Sequence, residues 1–227
     1  MTVSCISDLH GYLPEIIPGD LLLICGDIIP LEIQFNMPKS EEWFCKEFLS
    51  WANNLEYDKI LFIAGNHDAW LCRNSKLARE YFPKHGKITY LCNDSYAYID
   101  SLGNNYTIFG TPYCHQFGNW SFMVSDEILR KKFSEIPENL DILITHDAPT
   151  LGYVGIIQQS DSWNYGNQCG NYILTEELLK KKPTNVFCGH IHSGLHEFNN
   201  VEGINIANVS LVDEHYHLVY DPLTIEL

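Results

Sequence analysis

Short apolar runs that stop abruptly at polar residues recur along this chain. Leu21-Leu22-Leu23-Ile24-Cys25 runs into Gly26-Asp27, and Ile60-Leu61-Phe62-Ile63-Ala64 into Gly65-Asn66-His67-Asp68. Ile142-Leu143-Ile144-Thr145 ends at His146-Asp147, and Val186-Phe187-Cys188 at Gly189-His190-Ile191-His192. A fifth run at the start of the chain ends in Asp8-Leu9-His10-Gly11. Their length and branched side chains predict buried β-strands. Between them the apolar period changes to that of a helix. Residues 40–55 read as one, with Ser40 as its cap, Glu41 and Glu42 in the first turn, and Trp43, Phe44, Phe48 and Trp51 on one stripe. Further helices are predicted over 75–81, where Pro83 stops the pattern, over 125–136, acidic early and basic late, and over 175–182. Residues 88–99 and 106–109 read as β structure broken by Asn93-Asp94 and Gly103-Asn104-Asn105, and the tail from 204 onward as β-like. Residues 30–38 and the Gly- and Gln-rich 152–170 have little periodicity and read as loops. No repeat, low-complexity tract or linker marks a boundary, so 1–227 is expected to be a single α/β domain.

Composition adds constraints. A chain of 227 residues with 45% hydrophobic and 19% charged side chains can bury a full core. Its 14 basic against 29 acidic side chains give a net charge of −15. That field repels a long polyanion such as duplex DNA unless cations reverse it locally. The first residues lack a basic leader pattern and no apolar run approaches a membrane span, so a soluble, cytoplasmic protein without membrane partners is expected. Eight cysteines show no CxxC pairing and read as reduced thiols.

The five strand ends carry the candidate chemistry. In open α/β sheets, sites form beyond the carboxyl ends of strands. Asp8, His10, Asp27, Asn66, His146, His190 and His192 all stand there. Asp8 and His10, like His190 and His192, are two apart, so in extended backbone each pair points one way. Every donor is nitrogen or oxygen, which suits Mn, Fe, Zn or similar divalent cations. Seven donors exceed the needs of one ion. Two ions sharing a carboxylate use them better, and Asp27, alone on its strand, is the natural bridge. Paired ions clamp the oxygens of a phosphoryl displacement, so metal-assisted hydrolysis is the chemistry implied.

This ordered set, D-x-H, G-D, G-N-H-D, a lone H, then G-H-x-H, resembles the calcineurin-like metallophosphoesterases and spans Asp8 to His192. The short step from Asp8 to Asp27, with Gly110-Thr111-Pro112-Tyr113 and Thr145-His146-Asp147-Ala148-Pro149, is most similar to a compact group of metallophosphoesterase-domain proteins related to a brain-expressed vertebrate family. Some members of that group carry glycine at the first histidine of the last motif. His190 is kept here, which implies an intact second site. The resemblance implies a four-layer α-β-β-α sandwich of two mixed sheets and two divalent ions, Mn²⁺ foremost, with Fe, Zn, Ni or Mg as alternatives. It assigns Asp8, His10 and His192 to the first ion, Asn66, His146 and His190 to the second, and Asp27 to both. A metal-bridging hydroxide would attack, His67 would protonate the departing oxygen, and Asp68 would orient His67 through a hydrogen bond. A small, nucleotide-like phosphodiester is the substrate expected. A phosphomonoesterase, a protein phosphatase or a non-catalytic metal-binding scaffold are the alternatives.

Taken singly, each of these residues has a plainer role. His10 or His146 alone could be a hydrogen-bonded surface histidine, and Asn66 or Asp27 could stabilise a turn. Their joint order outweighs that. His85, His115, His196, His215 and His217 have no such frame, although His115 follows a motif-like turn and could reach the cleft. Lys180-Lys181-Lys182 is a solvated helix end. Trp120, Phe122 and Trp163 lie in loops and either stack on a substrate or pack the loop. The loop 152–170, with Tyr153, Trp163, Asn164 and Tyr165, either folds over the cleft or is a packed surface segment.

Overall fold

The computed structural model describes residues 1–227. Its elements run β1 (Thr2–Ile6), β2 (Gly19–Cys25), α1 (Met37–Trp43), a π-helical turn (Phe44–Phe48), α2 (Leu49–Asn54), β3 (Tyr57–Ile63), α3 (Ala69–Arg73), α4 (Ser75–Tyr81), β4 (Ile88–Tyr90), β5 (Asp94–Ile99) and β6 (Asn105–Thr111). There follow β7 (Cys114–His115), β8 (Met123–Val124), α5 (Asp126–Ser134), β9 (Ile142–Thr145), α6 (Tyr172–Lys181), β10 (Asn185–Cys188), β11 (Asn199–Val201), β12 (Ile204–Asn208) and β13 (Leu223–Glu226).

Two mixed sheets form. The first has the order β13-β1-β2-β3-β4, parallel except for the β13 edge. The second has the order β11-β12-β10-β9-β6-β5, with four parallel strands between antiparallel edges. The alternation of side chains along each strand sorts the core into three parts. Val3, Cys5, Leu21, Leu23, Leu61 and Ile63 meet Ile108, Ile142, Ile144 and Phe187 between the sheets. On the outer face of the first sheet, Ile6, Leu22, Ile24 and Phe62 pack under Phe44, Phe48 and Trp70 of the helices. On the outer face of the second, Phe109, Leu143, Val186 and Ile206 pack under Leu129, Phe133, Leu174 and Leu178 of α5 and α6. Three cores between four layers is the α-β-β-α sandwich that the resemblance implies.

Several boundaries differ from the sequence reading. The first long helix begins at Met37, capped by Asn36, whose side chain accepts from Lys39 N at 3.2 Å. Pro38 is tolerated in the first turn, where its missing N–H would be unpaired anyway. Ser40 is therefore not the cap; it is buried, and its Oγ donates to Ile33 O at 2.9 Å. The π turn winds through Phe44–Phe48 with both end rings buried. The α6 helix starts at Tyr172, earlier than its periodicity suggests, because Asn171 accepts from the backbone of Ile173 and Leu174. The tail is β-like only in β12 and β13. Between them Asp213 Oδ1 accepts from the N–H groups of His215 and His217, which curls the chain out of the sheet. No helix is long and apolar enough to cross a membrane, and all eight cysteines are free thiols.

Candidate metal centre and its cleft

Parallel strands β1, β2, β3, β9 and β10 discharge their chains at one edge of the sandwich, and the candidate ligands follow directly. Asp8 (φ 54°), His10 (φ 41°), Asp27 (φ 51°) and His190 (φ 69°) all adopt left-handed backbone. For residues with a Cβ this costs of order 1–3 kcal/mol each, and such strain collects at functional sites. The chain is thus not extended at these pairs, contrary to the inference from their spacing. Asp8 and His10 still converge, but His190 and His192 part to different neighbours.

Two groups result. The ligating atoms of Asp8, His10 and His192 lie within 4.8 Å of one another, as do those of Asp27, His146 and His190. Asp27 Oδ2 stands 3.4 Å from His146 Nε2 and 3.9 Å from His10 Nε2, so one carboxylate reaches toward both groups. Asn66 Oδ1 is 3.0 Å from His146 Nε2 and joins the second group. All seven residues singled out from the sequence meet here.

Backbone partners orient the rings. His146 Nδ1 bonds Cys25 O at 2.9 Å and His192 Nδ1 bonds Asp213 O at 2.9 Å. A carbonyl accepts only, so each ring carries its proton on Nδ1 and turns Nε2 to the centre. Asp8 Oδ2 accepts from Ser210 Oγ at 2.6 Å and from His190 N at 3.0 Å. Two glycines permit the crowding. A Cβ on Gly65 would stand 2.1 Å from Asp27 Oδ1, and one on Gly189 would stand 2.3 Å from Asp8 Oδ2.

The charges suit cations. Burial opposes ionisation of Asp8 and Asp27, yet His192 beside Asp8, and His146 and His67 beside Asp27, hold both carboxyls well below the ordinary range. Burial pushes His10 and His190 down to about 4, so both rings are neutral with a lone pair to offer. Burial also opposes the charge on His146, but Asp27 lifts it to about 10; a cation taking that place displaces its proton. Both ring nitrogens of His10 are buried without a hydrogen-bond partner. Buried polar atoms seldom stay orphaned. A cation between these groups would satisfy the orphan, and the residues present fit two divalent ions.

His67 projects toward the same point, its Nε2 3.9 Å from Asp27 Oδ2. Its Nδ1, however, does not meet Asp68, the orienting partner expected from the motif. The Asp68 carboxylate is fully buried and accepts from Ile28 N at 3.1 Å, Ile29 N at 3.0 Å and Gly65 N at 2.8 Å. It ties the Gly26-Asp27 turn to the Gly65-Asn66 turn, and burial with the charge of Asp27 raises it to about 7. The partner of His67 Nδ1 is Gln34 Oε1 at 2.7 Å.

Above the centre lies a cleft of about 600 Å³ lined by Asp27, Asn66, His67, His190 and His192 at its floor and by Trp120, Phe117, Tyr216 and Trp163 on its walls. Trp120 lies against His67, with ring centroids 4.6 Å apart, and stacks on Phe35. Phe122 is buried in the core instead. His115 does reach the cleft, with Nδ1 2.9 Å from Asp147 Oδ2, and that carboxylate raises its pKa against the opposing effect of burial. From the loop 152–170, Trp163, Asn164 and Gln168 line the cleft, while Tyr153 belongs to a separate groove. The loop is also packed: Val154 and Ile157 are buried in the core. Gln34 on His67, and Glu214 and Tyr216 in the cleft lining, escape sequence reasoning because no strand end or motif announces them. His115 had a usable signal, since β6 also ends at this edge.

The sequence profile of the calcineurin-like phosphoesterases matches residues 1–194. The chain belongs to that family. It is accordingly a metal-dependent phosphoesterase. It is 28% identical to human metallophosphoesterase domain-containing protein 1 over 98% of this chain and 70% of the human one. It is also 28% identical to a Caenorhabditis elegans protein of the UPF0046 family, over 98% of this chain and 79% of that one. Among solved structures, phosphopantetheinyl hydrolase of Mycobacterium tuberculosis superposes with a TM-score of 0.58 at 14% identity, over 95% of this chain and 90% of its own. A protein of Thermus thermophilus gives 0.59 at 10% identity, over 91% and 88%. At such identities the likeness concerns the fold that the family shares.

Proposed function

We propose that this protein hydrolyses small phosphodiesters, nucleotide-like ones included, at a dinuclear centre. Asp8, His10 and His192 would hold one ion, Asn66, His146 and His190 the other, and Asp27 both. Mn²⁺ is the ion expected, with Fe, Zn, Ni or Mg as substitutes. The observation that carries the reading is the carboxylate of Asp27 set between two donor groups, 3.4 Å from His146 and 3.9 Å from His10, at the floor of an aromatic cleft. Two divalent cations supply the charge that draws in a phosphate and the acidity that activates water near neutral pH.

The chain's own residues do the rest. His67 Nε2 faces the same point and hands its proton to the departing oxygen as the P–O bond breaks. Trp120 covers one side of the His67 ring. Phe117, Trp163 and Tyr216 offer faces and edges for a planar group such as a nucleobase, and Asn164 and Gln168 offer amides for its polar edge. None of the fifteen residues lining the cleft is Lys or Arg, so a second or third phosphate meets no permanent cation there. With a net charge of −15, duplex DNA and polyphosphate are disfavoured. Free thiols throughout are consistent with a cytoplasmic location.

Turnover of bis(p-nitrophenyl) phosphate with added Mn²⁺ is the first test, followed by nucleotide cyclic diesters, p-nitrophenyl phosphate, a phosphopeptide and duplex DNA. Diester hydrolysis that needs the metal and outpaces the monoester and the phosphopeptide supports the reading. Faster turnover of the monoester or phosphopeptide overturns the diester preference, and no metal-dependent turnover of any ester overturns the catalytic reading.

A further inference from the structure

We infer that Gln34 is the positioning residue of the proton donor: its side-chain carbonyl locks His67 in the Nδ1–H tautomer and leaves Nε2 as the ring atom that meets the phosphate. The inference rests on the role given to His67 above and adds the residue that makes that role work.

The geometry settles the amide. Gln34 is buried, and its Nε2 donates to Leu31 O at 3.0 Å. The amide nitrogen is thereby committed to Leu31, and the oxygen faces His67 Nδ1 at 2.7 Å. An amide oxygen accepts and never donates, so the proton must reside on Nδ1. The backbone on either side of Gln34 is tied down. Ile33 N bonds Pro30 O at 3.1 Å, Asn36 N bonds Ile33 O at 2.8 Å, and Ser40 Oγ pins Ile33 O at 2.9 Å. From the other sides the His67 ring meets Trp120 at 4.6 Å and His10 at 5.0 Å between centroids, and its backbone N–H donates to Asp27 Oδ1 at 2.8 Å.

A neutral partner makes physical sense at this position. A carboxylate in place of Gln34 would set a buried anion against His67, and burial works against ionised carboxyls. The amide accepts from Nδ1 whether or not Nε2 carries a proton. When the P–O bond breaks, the Nε2 proton goes to the departing oxygen, water contributes hydroxyl to phosphorus, and the proton released by that water restores His67 through solvent. The ring is left as the Nδ1–H form still bonded to Gln34, so the cycle needs no tautomer change.

Three variants test this in the metal-loaded protein: Gln34→Leu, which removes the acceptor, Gln34→Glu, which keeps one, and His67→Ala. Metal content reads folding of the centre. Imidazole ¹⁵N–¹H correlation spectra, with diamagnetic Mg²⁺ or Zn²⁺ bound, read the His67 tautomer without turnover. In Gln34→Leu, His67 should lose the pure Nδ1–H pattern while both metal equivalents remain. Its kcat on an alkyl diester should fall roughly tenfold, about the worth of one neutral hydrogen bond, with a smaller loss on a nitrophenyl diester, whose leaving group hardly needs a proton. Gln34→Glu should restore the Nδ1–H pattern. Retention of that pattern in Gln34→Leu overturns the inference. So do equal losses on the two esters, if His67→Ala does discriminate between them. If His67→Ala also slows both equally, the proton-donor role of His67 fails instead, and the spectrum alone decides the tautomer.

Discussion

Replacing Gly65 with alanine should dismantle the metal centre while barely touching the rest of the fold. Gly65 does not need positive φ, so alanine meets no backbone penalty there and the effect is purely one of space. The added Cβ would lie 2.1 Å from Asp27 Oδ1, 2.5 Å from Asp27 N and 2.6 Å from His146 Cε1. Each must retreat by several tenths of an ångström to an ångström to reach ordinary contact. None of them is a flexible tip. Asp27 sits at φ 51°, its carbonyl receives His10 N at 2.9 Å, and Oδ1 receives His67 N at 2.8 Å. Overpacking against such neighbours costs about 1–3 kcal/mol, which in a chain of this size lowers the metal-free Tm by roughly 2–12 °C. Metal sites keep their donors within about 0.2 Å, so displacing Asp27 and His146 should weaken affinity by about 10- to 100-fold or more. Gly86→Ala is the control, because its Cβ would meet nothing nearer than 3.4 Å. Calorimetric metal titration, elemental analysis and thermal melts of both variants check this. Two equivalents bound by Gly65→Ala at wild-type affinity, with an unchanged melt, would show that Asp27 and His146 are not held where this reasoning puts them.

Asp27→Ala should lose metal binding and hydrolysis together, because the proposed bridge would place that carboxylate on both ions; retention of two equivalents at wild-type affinity contradicts a bridge. Trp163→Ala should raise KM for a nucleotide-sized diester roughly fivefold or more, in line with one base–aromatic stack, with metal content unchanged. A point change is the right probe, since deleting the loop would also remove Val154 and Ile157 from the core; an unaltered KM removes Trp163 from substrate recognition. His196 lies outside the centre, stacked on Tyr220 with centroids 3.7 Å apart and bonded to Ser210 O, and burial lowers it to about 4. Between about pH 6.5 and 4 the unfolded chain binds a proton there that the folded one refuses, so stability is lost as the pH is lowered through that window, by up to roughly 3 kcal/mol. His196→Phe should flatten this limb in urea melts taken from pH 7 to 4, and an unchanged slope refutes the assignment.

The layers and the seven candidate ligands are legible in the sequence for one reason. Apolar runs mark strands, strands of a parallel sheet end at a common edge, and the residues following each run are therefore neighbours in space. The same rule reaches His115 once β6 is seen to end there. The helix starts at Met37 and Tyr172 are less legible, because asparagine caps compete with equally plausible later starts. Asp68 misleads for a physical reason. Adjacency to His67 suggests a hydrogen bond, but three backbone N–H groups converge on its carboxylate and take it up.

What no local pattern could supply is the partner of His67. Gln34 lies more than thirty residues upstream, in a segment without periodicity, and its role arises from two contacts. One is with Leu31 three residues before it; the other crosses to the end of β3. The first bond fixes which way the amide faces and the second uses that direction to fix a proton. Neither bond alone has chemical consequence, and neither glutamine nor its spacing hints at the pair. The ligands were readable because each follows an apolar strand that ends at the common edge. The group that orients the acid can be any buried acceptor, so its identity is decided by tertiary placement and the sequence around Gln34 is silent about it.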